Sequence, residues 1–346
     1  MAEATLSSEQ LHEICLTLLR AVGSPDDLAA VVAGGLHGAN LAGHDSHGLV
    51  RLPKYLTDAR DGKIDPAARA EIARRHGATA CVSARWGWGQ PAARLAAQTA
   101  AEIAAEQGVG AVVLQESPHV GRMADYVELI AARGQLGMTV TNARPNVAPF
   151  GGRSRRLGTD PIAFAIPRAG GRPPIVVDFA TSVRAEGKVR VARAAGRTVP
   201  PGTLIDSEGR PSVDPEDYYA GGSLLPAEGH KGYALAVAIE GLGGILSGMG
   251  PAMLPVYGDG NGMFVMALEI EAFVAVDQYM RQVEEMAAAL ESTPPAPDVD
   301  RVLLPGQPEI LTAERRRREG IPIADATMDE LRGLASELGA TLPEAG

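Results

Sequence analysis

Residues 43–51 carry two imidazoles, a carboxylate, a hydroxyl and a guanidinium within nine positions. A protein core would have to give each of these polar groups a hydrogen-bond partner, so packing alone does not explain their density. Histidine exchanges protons near neutral pH, and arginine holds a carboxylate through two parallel hydrogen bonds. His44, Ser46, His47 and Arg51 therefore predict a site that binds a small carboxylic acid and moves a proton on or off it.

The same stretch allows three other interpretations. At a helix boundary, Asp45 or Ser46 would cap the next helix, but this leaves both histidines and Arg51 without a role. His44, Asp45 and His47 could be metal ligands, but their spacing does not match that of a catalytic zinc site. Ser46 could be a hydrolase nucleophile, but no Gly-x-Ser-x-Gly turn surrounds it. We therefore expect no metal at this site.

Three further side chains stand where a predicted strand or helix begins or ends. His119 follows the predicted strand 109–114, at a position where loops held by a sheet often do chemistry; otherwise it caps that loop. Asp178 ends the predicted strand 175–177 and would bind a ribose hydroxyl, orient an imidazole or cap a helix. Lys231 stands at a predicted helix start, which suits a phosphate group, unless it is an ordinary surface lysine.

Helices are predicted at both ends of the chain, with strands and helices alternating between them. The capping box Ser7-x-x-Gln10 begins the first helix, the residues up to about 60 look helical throughout, and the chain is helical again after the linker 293–297. The middle region has predicted strands at 71–75, 80–83, 109–114, 138–141, 162–166, 175–177 and 263–268, and predicted helices at 91–106, 125–132, 234–246 (buried) and 273–290. This order predicts an α+β (mixed α/β) fold in which the two helical ends pack together.

Composition excludes several functional classes. The chain has 346 residues and a net charge of -10, with no long basic block, so we expect neither a nucleic-acid nor an anionic-membrane partner. No apolar run reaches membrane-spanning length, and the first residues do not resemble a signal peptide. Cys15 and Cys81 cannot form a disulfide framework. A cytoplasmic enzyme is the expectation.

The glycine-rich segments do not match a known nucleotide-binding motif. Gly241-x-Gly243-Gly244 falls inside a predicted helix rather than between a strand and a helix, and Gly258-x-Gly260-x-Gly262 is typical of a flexible turn. The chain has no Walker loop. The basic run 315–318 is flanked by glutamates and indicates a solvated helix face.

Several separated motifs follow one another in the order of a known family. They are Gly43-His44-Asp45-Ser46-His47-Gly48 with Arg51, the segment around His119, Leu157-Gly158-Thr159-Asp160-Pro161, Val177-Asp178-Phe179-Ala180-Thr181-Ser182, Gly229-His230-Lys231-Gly232-Tyr233 and Leu304-Pro305-Gly306-Gln307-Pro308. From about Leu11 to Leu338 the chain resembles the malate/L-lactate dehydrogenase family whose fold is unrelated to the Rossmann lactate dehydrogenases. That family includes sulfolactate, ureidoglycolate and 2,3-diketogulonate dehydrogenases and piperideine-2-carboxylate reductases. Residues 119–122 and 199–206 are most similar to its hydroxycarboxylate dehydrogenase branch.

The resemblance implies NAD(P)-dependent interconversion of 2-hydroxy acids and 2-oxo acids by a homodimer, with neither metal nor flavin. It implies a helical domain of residues 1–70 with 290–346, and a non-Rossmann nicotinamide-binding domain of residues 71–289. His47 and His119 match histidines with acid/base roles, Arg51 matches the carboxylate-binding arginine, and His44 and Ser46 accompany them. The positions that match cofactor-contacting segments are Asp178, Phe179, Ala180, Thr181, Lys231, Gly232, Gly306 and Gln307.

Two residues depart from the family pattern. Pro118 precedes the second histidine, and Asp160 stands in the Gly-Thr-Asn-Pro motif, where relatives usually have asparagine at both positions. Asp160 is expected to add a charge near the cofactor or substrate. Two other functions stay open: a reductase of cyclic imine acids, and a non-catalytic ligand-binding homologue that these two departures would favour. The motifs distinguish neither NAD from NADP nor which histidine donates the proton.

Overall fold

A computed structural model describes residues 3–194 and 196–343 of the chain. The outermost residues of the predicted helical domain, 1–2 and 344–346, lie outside this description. Twelve strands occur in the described residues: β1 (Glu3–Leu6), β2 (Glu71–His76), β3 (Thr79–Ser83), β4 (Val109–Gln115), β5 (Leu136–Thr141), β6 (Ile162–Ile166), β7 (Ile175–Phe179), β8 (Leu204–Ile205), β9 (Pro211–Ser212), β10 (Ser223–Leu224), β11 (Met263–Leu268) and β12 (Ile321–Ala324). Each strand predicted from the sequence is confirmed, with its ends moved by a few residues.

Helices pack on both faces of the central sheet and make up most of both ends of the chain. They are α1 (Ser8–Ala21), α2 (Asp26–Leu41), α3 (Leu52–Arg60), α4 (Gly89–Gln107), α5 (Ala124–Ala131), α6 (Glu186–Ala194), α7 (Pro215–Tyr219), α8 (His230–Ile239), α9 (Val276–Glu291), α10 (Gln307–Glu319) and α11 (Asp325–Glu337). Short 3₁₀ turns at Asp45–His47 and Leu49–Arg51 connect α2 to α3. No helix in the described part of the chain is both long enough and apolar enough to cross a membrane.

The central sheet is mixed, with the strand order β2-β3-β4-β11-β5-β6-β7. Its strands pair antiparallel except for β3 and β4, which run parallel. A three-stranded sheet, β10-β8-β9, forms a small separate layer with α6 and α7. The structure is therefore a mixed α/β fold, as predicted.

Helix α4 lies unusually close to strand β4. The helix turns alanines toward the sheet, and these side chains are fully buried. On the strand, a Cβ atom at Gly110 would lie 2.0 Å from the carbonyl oxygen of Ala100, so any other residue would push the helix away. This tight contact fixes the start of β4 against α4, and the loop that follows the far end of the strand carries His119.

The two ends of the chain share one hydrophobic core. Leucine and isoleucine side chains from α1, α2 and α3 pack against β12 and α11. The predicted capping box is confirmed, because Ser7 and Gln10 exchange side-chain-to-backbone hydrogen bonds at the start of α1. The predicted borders of the two domains, near residues 70 and 290, stay a proposal.

The prediction that both ends are entirely helical was wrong at β1 and β12. Each strand has four residues, and they pair only with each other, Glu3 lying opposite Ala324. A strand this short gives no clear periodic pattern, and its partner lies at the other end of the chain. The pairing is visible only once the two ends have met in space.

The helix predicted at 234–246 is present, but the prediction that it is buried was wrong. Helix α8 ends at Ile239 and continues as one π-helical turn, Glu240–Ile245. Ile245 is 63% exposed and Leu246 57% exposed, so only one side of this segment packs on the sheet. The predicted helix 273–290 is confirmed as α9, which begins three residues later.

Candidate active site

The backbone of residues 42–51 is shaped by a buried asparagine at the end of α2. Asn40 donates a hydrogen bond from Nδ2 to Oδ1 of Asp45 (2.7 Å), and its Oδ1 accepts one from the backbone N–H of Leu49 (2.7 Å). A Cβ atom at Gly48 would lie 2.1 Å from Asn40 Oδ1, so only glycine fits there. Arg316 of α10 holds both carboxylate oxygens of Asp45, at 2.6 and 2.9 Å. Asp45 is therefore a structural residue that anchors this segment.

The same segment presents Ser46, His47 and Arg51 together. Arg51 donates from Nε to the backbone carbonyl of Ser46 (2.8 Å), which fixes the direction of its side chain. Its two terminal nitrogens make no hydrogen bond to a described residue. The Ser46 hydroxyl lies 3.0 Å from Nδ1 of His47. An arginine held in this way offers a planar pair of donors that matches a carboxylate.

His119 joins this group from the loop after β4. Its ring stacks on that of His47, with centroids 5.4 Å apart and planes inclined by 29°. Nδ1 of His119 lies 2.7 Å from the hydroxyl of Tyr55 and 3.3 Å from the backbone nitrogen of Gly121. Nε2 of each histidine makes no hydrogen bond to a described residue. The structure thus brings together the two histidines and the arginine that the sequence predicted.

Both histidines are held neutral by their surroundings. Burial lowers the pKa of His47 to about 3, assisted by the charges of Arg51, His44 and Arg122. Burial also lowers the pKa of His119 well below its usual value, and the charge of Arg51 is the second largest cause. A neutral imidazole can accept a proton, and a carboxylate bound at Arg51 would offset part of the positive charge that disfavours protonation.

His44 lies on a large cleft beside the histidine pair. The cleft has a volume of about 1110 Å³, and its walls come from α2, α5, β7 and α10. His44 Nε2 lies 3.4 Å from Glu309 Oε1 on this cleft. His44 therefore faces the cleft, whereas His47 stacks on His119.

Asp178 and Phe179 line the same cleft. Oδ2 of Asp178 accepts a hydrogen bond from the backbone N–H of Ala124 at the start of α5 (2.9 Å), so one carboxylate oxygen caps that helix. Burial raises the pKa of Asp178, although this hydrogen bond and the nearby His44 and Arg122 oppose the rise. The second oxygen has no hydrogen bond to a described residue. Asp178 stands within β7 and does not begin a helix, so the N-cap interpretation was wrong; one of its oxygens instead bonds to the start of α5 from a distant strand, and the other stays available to a ligand.

The predicted cofactor segments around Thr181 and Gly232 contact each other. Thr181 donates its backbone N–H to the carbonyl of Thr159 (2.9 Å), and Ala180 precedes it in the loop after β7. A Cβ atom at Gly232 would lie 2.5 Å from the carbonyl oxygen of Thr181, so the start of α8 packs directly on this loop. Lys231 beside it is exposed, and its ammonium group makes no ion pair with a described residue.

Gly306 and Gln307 stand on opposite sides of a loop. Gly306 lines the cleft with a φ of 92°, and a Cβ atom there would lie 3.2 Å from the backbone nitrogen of Val176. Gln307 instead accepts from the backbone N–H of Leu304 (2.8 Å) and donates to Glu291 (2.6 Å). Its amide is therefore occupied within the protein, and it lines a second cavity of about 420 Å³.

Asp160 does not place a charge at the site, contrary to expectation. Its side chain is fully buried, and Oδ1 accepts a hydrogen bond from the backbone N–H of Ala143 (3.0 Å), while Oδ2 has no described partner. Burial raises its pKa well above the usual value, and the nearby Glu240 raises it further. The raised pKa favours the neutral acid, which resembles the asparagine usual at this position. Pro118 is half-buried next to His119.

Two residues of the site escaped the sequence analysis. Tyr55 follows Arg51 by four residues, a spacing that places both on one side of α3 and could have indicated it. Gln90 begins α4 and donates from Nε2 to the Tyr55 hydroxyl (3.0 Å), and nothing in the local sequence indicates that contact. Among the described residues, no three His, Cys, Asp or Glu side chains stand close enough to hold a metal ion.

Comparison with known proteins agrees with this geometry. Residues 6–332 match the family model described as malate/L-lactate dehydrogenase. The chain is 35% identical to a malate dehydrogenase of Pyrococcus abyssi, over 96% of this chain and 95% of that protein. It is 36% identical to an L-lactate dehydrogenase of Cupriavidus necator, over 98% and 99%.

A solved structure extends the agreement to the fold. The crystal structure of malate dehydrogenase from Entamoeba histolytica superposes with a TM-score of 0.92 at 28% identity, covering 99% of this chain and 100% of that chain. The resemblance inferred from the separated motifs is confirmed. The chain belongs to the malate/L-lactate dehydrogenase family.

Proposed function

We propose that this chain is a nicotinamide-dependent dehydrogenase that interconverts small 2-hydroxy acids and 2-oxo acids. Its family membership makes it a 2-hydroxy acid oxidoreductase. The observation that carries the proposal is the stacked pair of His47 and His119 beside Arg51. In the described part of the chain, Nε2 of each histidine and both terminal nitrogens of Arg51 have no hydrogen-bond partner. The charge of Arg51 acts on both imidazoles, so a proton-exchanging group and a carboxylate-binding group lie close together.

These residues divide the work of the reaction. Arg51 would hold the carboxylate of the substrate through its two terminal nitrogens, which fixes the neighbouring carbon. A histidine would take the hydroxyl proton during oxidation, or return it to the carbonyl oxygen during reduction. The nicotinamide supplies or accepts the hydride when it is bound.

We propose that the cofactor binds in the large cleft. The cleft is roomy enough for a dinucleotide, and the exposed ring of Phe179 offers it an apolar surface. Arg317, which makes no ion pair with a described residue, brings positive charge to its wall, which suits the phosphates of NAD or NADP. Asp178, Ala180, Thr181 and Gly306 would contact it from β7 and the adjoining loops.

Lys231 and Gly232 would assist from the start of α8. The positive end of the helix dipole lies here beside an exposed ammonium group, a combination that favours a phosphate. Gln307 would support the cleft indirectly through the loop that it stabilises. We assign no metal or flavin to the reaction.

We also propose a homodimer, in the cytoplasm. The support is a row of exposed apolar side chains on and around α8, which a monomer would leave in water. These residues are Phe150, Val237, Ile245, Leu246, Leu254 and Val256. Light scattering at working concentration should give twice the mass of one chain, and a monomeric mass would contradict the dimer.

A spectrophotometric screen tests the function. The purified protein is mixed with 2-oxo acids or cyclic imine acids, each with NADH or NADPH, and oxidation of the cofactor is followed. We expect turnover with 2-oxo acids. Turnover with cyclic imines alone would make the chain an imine reductase, and cofactor or carboxylate binding without any turnover would make it a non-catalytic homologue. The His47→Ala variant is the control for background oxidation.

A further inference from the structure

We infer that Tyr55 and Gln90 are positioning residues that hold His119 as the neutral tautomer with its proton on Nε2. His119 then donates a hydrogen bond to the substrate oxygen, and proton transfer falls to His47. The inference rests on the proposed function. It assigns the change of protonation state during the reaction to His47 rather than to His119.

A buried chain of hydrogen bonds leads to Nδ1 of His119. Tyr55 and Gln90 are each only 4% exposed. Gln90 Nε2 donates to the Tyr55 hydroxyl (3.0 Å), and that hydroxyl lies 2.7 Å from His119 Nδ1. Because the hydroxyl oxygen already accepts from Gln90, its own proton is free to point at Nδ1.

The backbone of Gly121 adds a second donor to Nδ1. Its N–H points at the same Nδ1 from 3.3 Å, and a backbone N–H can only donate. With both donors in place, Nδ1 accepts through its lone pair, which leaves the proton on Nε2. A second proton on Nδ1 would face the Gly121 N–H. Burial also lowers the pKa of His119, which agrees with a ring that stays neutral.

His47 has no such restriction. Its Nδ1 lies 3.0 Å from the Ser46 hydroxyl, which can rotate to donate or to accept. During oxidation the O–H bond of the substrate breaks, the proton binds Nε2 of His47, and Nδ1–H then donates to Ser46. The hydride leaves the same substrate carbon for the nicotinamide, so the 2-hydroxy acid becomes the 2-oxo acid. A neutral His119 that already carries its proton on Nε2 cannot accept a second one there.

The direct test is nitrogen NMR of protein labelled with ¹⁵N-histidine. The His119→Gln variant identifies the signals of His119 by their loss. We expect Nδ1 of His119 to resonate as an unprotonated nitrogen and Nε2 as a protonated one, without change across the neutral pH range. A protonated Nδ1 on His119 would overturn the inference, whether or not the enzyme turns over.

Gln90→Glu tests the hydrogen-bond chain at Gln90, the residue farthest from His119. Burial raises the pKa of a carboxyl at this position, so the variant is measured at alkaline pH, where the carboxyl is ionised. An ionised carboxylate can only accept, so it should accept a hydrogen bond from Tyr55 and turn the hydroxyl into an acceptor for Nδ1–H. We expect the Nε2–H signal of His119 to weaken and kcat to fall by about tenfold or more, with recovery at acid pH once the introduced carboxyl is protonated. Gln98→Glu, the same change further along α4, is the matched control and should leave both readouts unaltered. An unchanged His119 tautomer in a folded Gln90→Glu protein would contradict the role of Gln90.

Tyr55→Phe and the pH profile complete the test. Tyr55→Phe should lower kcat while the cofactor Kd stays the same, which a general loss of folding would not produce. In wild type, kcat/KM for reduction should fall about tenfold per pH unit in the neutral range, because few free enzyme molecules carry the His47 proton. His119→Gln should keep this slope at a lower rate. A slope that survives in His47→Ala and disappears in His119→Gln would assign the proton to His119. Absence of turnover in every assay would reject the proposed function, and the NMR result would still stand separately.

Discussion

The histidine pair and the proposed cofactor side hold their charged groups differently. His119 and Arg51 are fixed by contacts with the Tyr55 hydroxyl and the Ser46 carbonyl. On the cofactor side Arg122 pairs with Asp125 and Glu128, but Arg317 on the cleft and Lys231 at α8 make no ion pair with a described residue. Groups that act on the reacting atoms need accurate placement, which internal hydrogen bonds provide. Groups that attract a large anionic ligand need accessible charge, and their own partners would compete with it.

The largest loss of activity is expected from a change at the histidine pair. His47→Ala should lower kcat by roughly 10²- to 10⁴-fold, the range for losing a positioned acid/base group. Binding of the cofactor should survive, because His47 lies toward Arg51 and His119 rather than on the cleft. Steady-state kinetics and a fluorescence titration with NADH or NADPH measure the two effects. Near-normal turnover in both His47→Ala and His119→Ala would show that this pair does not perform the proton transfer.

Arg51→Lys should cause the second largest loss of activity. An ammonium group cannot reproduce the planar pair of donors, and it also loses the contact from Nε to the Ser46 carbonyl. We expect kcat/KM for carboxylate substrates to fall by about 10- to 100-fold, the effect of losing a charge-assisted hydrogen bond. Arg94→Lys, on the exposed side of α4, is the matched control. If kcat/KM falls equally in Arg51→Lys and Arg94→Lys, Arg51 does not bind the substrate carboxylate.

Lys231→Ala tests the proposed contact between the exposed ammonium group and the cofactor. The exposed ammonium should contribute a charge-assisted contact to a phosphate, so the Kd of the cofactor should rise about tenfold while KM for the substrate changes less. Lys63→Ala, an exposed lysine outside the cleft, should change neither value. Because the contact is exposed, the difference between wild type and variant should shrink at high salt. An unaltered cofactor Kd would return Lys231 to the class of ordinary surface lysines.

Asp160→Asn should have the smallest effect, and it should appear in stability rather than catalysis. A carboxyl with a raised pKa in the folded state stabilises the protein fully below its unfolded pKa, and this contribution is lost as pH rises toward the folded value. Asparagine does not ionise, so the variant should be more stable than wild type at neutral and alkaline pH by about 1 kcal/mol, and the difference should vanish in acid. Urea unfolding at several pH values measures it. A variant less stable than wild type at every pH would indicate that the carboxyl is needed as such.

The site was predictable where its parts lie close in sequence. His44, Ser46, His47 and Arg51 share one short segment, and strong chemistry within nine residues is visible without a structure. His119 could be named as a candidate from its position after a strand, but its contact with His47 could not. The effect of Asp160 was misjudged, because a carboxylate in a loop motif gives no sign of whether it is buried.

The amino-acid sequence by itself was enough to identify the reactive segment 43–51. It also predicted the strands and helices that lie next to each candidate residue. Local hydrogen bonds, such as those of Asn40 to Asp45 and Leu49, act over a few residues and are encoded in their spacing. Only the tertiary structure decided that the loop after β4 meets α3, so that Gln90, Tyr55 and His119 form one buried chain. The physical reason is that these contacts depend on how closely α4 packs on β4. Gly110 and the alanines of α4 set that distance, but its effect on residues 55, 90 and 119 appears only once the helices and strands have packed together.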